Sequence, residues 1–481
     1  MVVTGIGELE NIKEFNLVKK KNNHSKCEFV VSAADIVEKE LLGKQVKIWN
    51  ETRAGETLCA NNLLMIGKIV EVKEKYGFSE NLVYVTAMSF SLWEDQQKYR
   101  RIFQSTKQTY RSICSYLEDN NELEISFSSG EYGVDIIDAI EVQNDISNFE
   151  YIIEIAKKMK LSCWVNDLVE EKVEFVIGKS KDNSKIVTVN DEDFVNCEKI
   201  VKQMEEHLII QLSDQSKELQ RSIDIGSLIA IALENKEKQY VIEEMKVFKK
   251  NQVYRYEIVA NNVKENNELP QIQSECIMYS GIVTDNKDPE NRGRVQIDFN
   301  TNLVEDCFKE NRNWIDVSTS YEAENGGFLF IPEINDKVDV LWNGIEFLAI
   351  GNRRKNEIRD ELKNIDDKCI SDLSGRIIRF NKDYLEIKSD QNRIYIDNEK
   401  IVLSCQDTKV SLVSGKVEVN VEETKAEVTK NIAVKTNTLH CDIGKNLENK
   451  VSDEIIFESG KKTKITSSDN VVVSGKKILM N

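Results

Sequence analysis

The sequence predicts a mainly β chain with a few short helices, in which a small closed barrel separates an N-terminal region from a repetitive C-terminal rod. Three observations carry that reading. Short β-branched and aromatic runs bounded by polar turns fill much of residues 1–265. Five or six strands follow one another within residues 275–355, the size of an OB-type barrel. From Arg393 onward, apolar pairs and triplets recur at short, near-constant steps.

In the N-terminal region, Phe29 to Val31, Val46 to Trp49, Leu64 to Val72 and Leu82 to Ala87 read as strands. Ser105 or Thr106 can cap a short helix with the apolar face Tyr110, Ile113, Cys114 and Leu117. A second helix is signalled by Ser147-Asn148-Phe149-Glu150, a capping-box pattern, with Phe149, Ile152, Ile153, Ala156 and Met159 along one side. Leu161 to Val165, Val173 to Ile177, Leu208 to Leu212 and Tyr254 to Val259 return to strand character. Lys264 to Pro270 is polar, ends in proline and reads as a linker.

The barrel stretch contains its own turn chemistry. Asp288-Pro289 makes a turn, and Gly293 supplies a backbone position without a Cβ before Arg294 to Phe299 alternates polar and apolar. Trp314 to Val317, Phe328 to Ile331 and Val338 to Trp342 are further strands, and Phe347 to Ile350 closes the set before Gly351. Trp314, Trp342, Phe328 and Phe330 read as barrel core. All three prolines, Pro270, Pro289 and Pro332, fall inside this stretch or just before it.

The string DPENRGRV, the Trp strand after it, then GGFLFIPEINDKVDVLW and IGNRR resemble the barrel of contractile-tail spike proteins. These are the valine-glycine-repeat spikes (VgrG) of type VI secretion and the hub-spike proteins of contractile phage tails. The family writes the stretch as D-P-x-x-x-G-R-V, then G-x-x-x-x-P-x-x-G-D-x-V. In this chain Asp288, Pro289, Gly293, Arg294, Gly327, Pro332 and Asp336 match the pattern, and Asn335 stands where the family favours Gly. Asn is the next most tolerant residue of a left-handed turn. Arg101-Ile102-Phe103-Gln104, and Val142-Gln143 through Trp164, look like two further blocks of the family. The resemblance implies β-barrel hub domains over 1–265, an OB-fold barrel over 275–355, a linker over 356–375 and a β-helical spike over 376–481. It also implies a buried or interchain role for Arg294.

The last part has a period of its own. Apolar pairs or triplets occur at Ile394/Ile396, Ile401/Leu403, Val410/Leu412, Val417/Val419/Val421, Ala426/Val428, Ile432/Val434 and Leu439/Cys441/Ile443, then at Ile455/Phe457 and Val471/Val473. Polar corners such as Ser414-Gly415, Ser459-Gly460 and Ser474-Gly475 follow the runs. Strands this short bury too little to stand as an isolated hairpin meander, so stacked rungs are expected. A single-chain solenoid and an intertwined three-chain β-prism both fit the step, and the family resemblance implies the prism. Ile478 and Met480 could form a last rung or a platform for a separate conical tip protein.

Composition excludes several functions. With 481 residues the chain exceeds one core, and its formal net charge of −18 argues against nucleic-acid binding. Ten cysteines occur singly with no CxxC, which suits free thiols rather than a zinc site or a disulfide framework. The N-terminus lacks an apolar signal core, so assembly in the cytoplasm is expected. His440 lies between Leu439 and Cys441, so strand alternation turns it to solvent and no metal is expected there; Cys405 and Cys441 turn inward. Acidic pairs such as Glu170-Glu171 and Asp453-Glu454 read as solvated charges, and GxSxG, HExxH and phosphate-loop patterns are absent. No cofactor and no catalytic residue are expected. The implied function is a structural homotrimeric spike that caps a tail tube and punctures an envelope, with tube and baseplate partners. The alternative is a tail-associated adhesin or glycan-cleaving β-solenoid.

Overall fold

The computed structural model describes residues 1–38, 40–50, 62–170, 172–182, 185–202, 205–233, 236–262, 276–300, 303–323, 326–328, 330–352, 367–372, 374–425, 428, 430 and 432–479. The chain divides into two units, Met1–Asn356 and Glu357–Asn481. The linker read at Lys264 to Pro270 lies outside the described residues, as do most of Arg353 to Lys368 and Met480.

In the first unit six of the expected strands, at residues 29–31, 46–49, 64–72, 82–87, 208–212 and 254–259, join six others in one large sheet of twelve strands. Strands from residues 1–89 and from 186–262 meet where Glu14–Lys20 pairs antiparallel with Lys236–Lys250. Alternation along these strands sends Phe15, Leu17, Val31, Ile48 and Val85 into the same core as Ile210, Ile231, Tyr240 and Ile258. The two halves of the hub region therefore share one core.

Between them sits a small α/β part. The strands Ser162–Asn166, Val173–Gly178 and Leu123–Phe127 form its sheet, and two helices cover it. The helix Asn148–Lys158 starts as the sequence predicts: Ser147 Oγ accepts from the Glu150 amide, and Glu150 Oε2 accepts from the Ser147 amide, both at 3.0 Å. The helix Tyr110–Asn120 buries Ile113, Cys114 and Leu117 as expected, but its cap is Thr109 rather than Ser105 or Thr106. Gln108 explains the shift. Its side chain binds the Ser105 amide and the Ala139 carbonyl, which holds residues 105–108 in a separate turn. A third helix, Lys217–Ser222, has no clear signal in the sequence.

Residues 277–352 form the barrel expected from the turn pattern. Ile277–Asp285 pairs with Gln296–Asp298 on one side and Lys337–Trp342 on the other, and Phe347–Asn352 then links to Asp316–Val317. Tyr279, Val283, Ile297, Phe299, Val340, Trp342 and Phe347 fill it.

The second unit differs from the expectation of stacked rungs. Seven strands from Lys368–Ser371 to Lys416–Asn420 form an antiparallel meander in which each strand pairs with the next. The first of them lies within the stretch read as linker. Tight turns make the meander possible: Asp390, Gln406 and Gly415 adopt φ of 53°, 51° and 73° at the corners. The described residues after Asn420 form no strand, so the apolar pairs at Ile432/Val434, Leu439/Cys441, Ile455/Phe457 and Val471/Val473 join no ladder among the described residues.

Candidate functional site

The barrel's DPENRGRV string is a self-closing turn. Asp288 is buried and its carboxylate accepts from the amides of Glu290 and Arg292, at 3.0 and 2.9 Å. Arg294 adds a fork, with Nε 3.0 Å from Oδ2 and Nη2 2.8 Å from Oδ1. The Arg294 fork and these amides hold the Asp288 carboxyl well below the usual carboxylate range. Pro289 sits exposed at the turn, and Gly293 takes φ +78°, a conformation that suits glycine. Arg294 is thus tied within its own chain.

The second family string makes a matching turn. Asn335, in place of the favoured glycine, adopts φ 74°, and its amide donates to the Val283 carbonyl at 2.9 Å. Asp336 caps the turn by accepting from the Glu333 amide at 3.0 Å, and the Pro332 carbonyl accepts from Asn286 Nδ2 at 3.1 Å. Gly327 closes a two-stranded hairpin opposite Glu322, and Gly351, at φ 151°, pairs with Asp339. Trp342 is in the core and Trp314 is half-buried. Phe328 and Phe330 contradict the core expectation. Their rings stack on each other at 6.2 Å and are 54% and 64% exposed; both follow the short hairpin strand Gly326–Gly327 and lie in no strand of the barrel wall, contrary to the strand expected from Phe328. Ile478 is exposed, and Met480 is outside the described residues.

The Arg101-Ile102-Phe103-Gln104 block marks the seam between the α/β part and the barrel. Arg101–Phe103 pairs in parallel with Glu305–Cys307. Gln104 Nε2, fully buried, donates to Asp306 at 2.8 Å and to the Ile297 carbonyl at 2.9 Å. Asp306 also accepts from the Phe299 amide at 3.1 Å, and Arg312 joins it to Asp298 at 3.3 and 3.4 Å. Buried Arg101 binds Glu305 at 3.0 Å, Asn148 at 2.9 Å and Gln143 at 3.1 Å. Ile102 joins the barrel core, whereas Phe103 stacks with Tyr151 and meets Tyr116 and Phe308 in the α/β core. Adjacent residues thus point into opposite cores, as strand alternation requires.

One polar cluster has the residue types of a hydrolase. His24 lies 2.9 Å from Ser91 Oγ and 3.2 Å from Asp95. Ser91 is fully buried and already meets Ser89 Oγ at 2.8 Å, and the His24 ring packs on Phe149 at 3.9 Å between centroids. Asp95 accepts from Ser147, the helix cap, at 2.5 Å. A nucleophile with no approach for substrate leaves this cluster as a clamp on the helix start. Nearby, Lys19 is buried between Asp224, at 2.7 Å, and Asp167, at 3.4 Å. Burial works against the Lys19 charge, and the two carboxylates nonetheless raise its pKa above the ordinary value. Among the described residues no group of three His, Cys, Asp or Glu is placed to hold a metal. No helix among them is long and apolar enough to cross a membrane.

Comparison with known proteins settles what this barrel is. Residues 279–347 match the family of type VI secretion system/phage-baseplate injector OB domains. The barrel is thus an injector OB domain of that family. A component of the E. coli type VI secretion system, the c3393 protein, shares the fold at a TM-score of 0.52 and 14% identity, over 73% of this chain and all of that one. A Francisella PdpA–VgrG complex aligns at 0.51 and 10%, over 86% of this chain and 84% of the other. At these identities the likeness is one of fold. No curated protein matches by sequence. The matched stretch contains both turn strings, Asp288 to Arg294 and Gly327 to Asp336.

Proposed function

We propose that the chain is the structural hub and spike of a contractile injection apparatus, built as a homotrimer. Its N-terminal region caps the tail tube, and residues from 368 onward supply the part that punctures the target envelope. One observation supports this beyond the fold: the meander is a single layer with an uncovered apolar face. Ladder pairing aligns Ile370, Ile378, Ile387, Ile394, Leu403, Val410 and Val419 in one column. Phe380, Leu385, Ile396, Ile401, Leu412 and Val417 form a second column on the same face. Leu403 is 48% exposed and Val417 66%. An apolar surface of this extent marks a contact site. Two further copies, each offering the same face, cover it symmetrically. Cys405 lies on this face by alternation and is exposed in one chain.

The opposite face needs no cover. Glu386, buried, pairs with Arg379 at 3.0 Å and Arg393 at 2.5 Å, and Arg393 lies over Tyr395. The antiparallel pairing of sequence neighbours also disfavours the alternative of a one-chain glycan-cleaving β-solenoid, which coils three faces per turn. Light scattering on the intact protein tests the proposal. A mass about three times the 55.3 kDa of one chain is expected, and a mass near one chain overturns it.

A further inference from the structure

Residues 459–477 depart in charge from the rest of the chain. The string Ser-Gly-Lys-Lys occurs twice, at Ser459 to Lys462 and Ser474 to Lys477, with Lys464 between them. Five lysines therefore stand against one acid, Asp469, in a chain of net charge −18. Three earlier lysines of this unit have local acidic partners: Lys400 has Asp397, Lys416 has Glu418 and Lys450 has Glu448. Lys461, Lys462, Lys464, Lys476 and Lys477 are all exposed and form no ion pair among the described residues. The Lys461 and Lys462 amides lie 3.4 and 3.1 Å from Ser459 Oγ, so the first lysine pair leaves from the rim of a turn. Exposed apolar side chains alternate with this charge: Ile465, Val471, Val472, Val473, Ile478 and Leu479.

We propose that residues 459–477 form a basic band that binds the phosphate headgroups of an anionic membrane. Unpaired ammonium groups keep their full attraction for phosphate, and each lysine near such a surface adds about five-fold to binding. The interleaved valine, isoleucine and leucine side chains favour a bilayer over a soluble phosphate polymer. They gain by entering the headgroup boundary, which a polymer in water does not provide. The proposal names what the envelope-facing part of the spike reading touches, and its charge argument stands without threefold assembly.

The test is co-sedimentation of the full chain with vesicles of phosphatidylcholine alone, or of phosphatidylcholine mixed with phosphatidylglycerol. Binding is expected with the mixed vesicles only, and added salt should weaken it as the charges are screened. The variant K461Q/K462Q/K464Q/K476Q/K477Q should lose at least about tenfold in affinity. A control carrying K13Q/K20Q/K26Q/K44Q/K47Q, lysines already paired with carboxylates, should bind as the unmodified chain does. Equal binding to both vesicles, or an unchanged quintuple variant, overturns the proposal. So does retention by soluble poly(glycerol phosphate) without retention by vesicles. A monomeric protein that still binds the mixed vesicles would remove the trimeric reading and leave this one standing.

Discussion

The hub-and-barrel unit and the meander unit are both β-sheet, yet they meet the same physical requirement in opposite ways. In the first, apolar side chains from residues 1–89 and 186–262 close on each other, and the barrel wraps around Tyr279, Phe299 and Phe347. In the second, thirteen apolar residues line one face of a single layer, and ten of them are exposed to solvent. Alternating patterns of equal quality stand behind both. What differs is whether the chain itself supplies the opposing surface, so a buried pattern and a waiting interface look alike until the chain is folded.

Replacing Ile394 and Leu403 by Asp should break that contrast most strongly. Each loses about 1.5–3 kcal/mol of burial in every copy of an assembly. The mass by light scattering should fall to that of one chain, while the thermal unfolding of the hub-and-barrel unit stays unchanged. Loss of both together would mean that the first unit also depends on the assembly.

Arg101→Ala probes the closed side. It leaves Asn148 and Gln143 without their buried donor and Glu305 without its cation, at a cost of about 2–3 kcal/mol in chemical denaturation. Gly281→Ala should cost about 1–3 kcal/mol, because the added Cβ would fall 2.2 Å from Ile297 Cγ2 inside the barrel. The light-scattering mass should be unchanged in both variants.

Asp288 gives a pH test. Its folded pKa is depressed, so its contribution is complete above the ordinary value near 3.8 and drains away as pH falls below it. Thermal unfolding of Asp288→Asn should be lower than that of the unmodified chain at neutral pH, and the gap should narrow under acid conditions. A gap that is constant with pH would place the benefit in shape rather than charge. The smallest effect is expected from Asn335→Gly, within about 0.5 kcal/mol, since the position is exposed and Asn already tolerates its φ of 74°.

Local signals were legible in the chain and distant ones were not. The Ser147–Glu150 cap spans three residues and could be read from spacing alone, whereas at Asp288 only the Asp-Pro turn was legible and the Arg294 fork six residues on emerged from the fold. Gln104 and Asp306 are 202 residues apart, and nothing near either one names the other. The Arg101–Gln104 block stood out only through the family resemblance, and its role as a seam emerged from the fold. Phe328 and Phe330 failed for a related reason. Alternation gives them a shared face but cannot say that the strand ends at Gly327, before either ring. Thr109 displaced the expected cap because Gln108 reaches Ala139, thirty-one residues on.

Residue order by itself therefore determined many of the strands, the apolar faces of two helices, the Ser147 cap and the barrel turns, because each depends on neighbours a few positions away. Tertiary structure decided which faces close and which stay open. Burial is a property of two surfaces brought together, and one strand carries only half of that information.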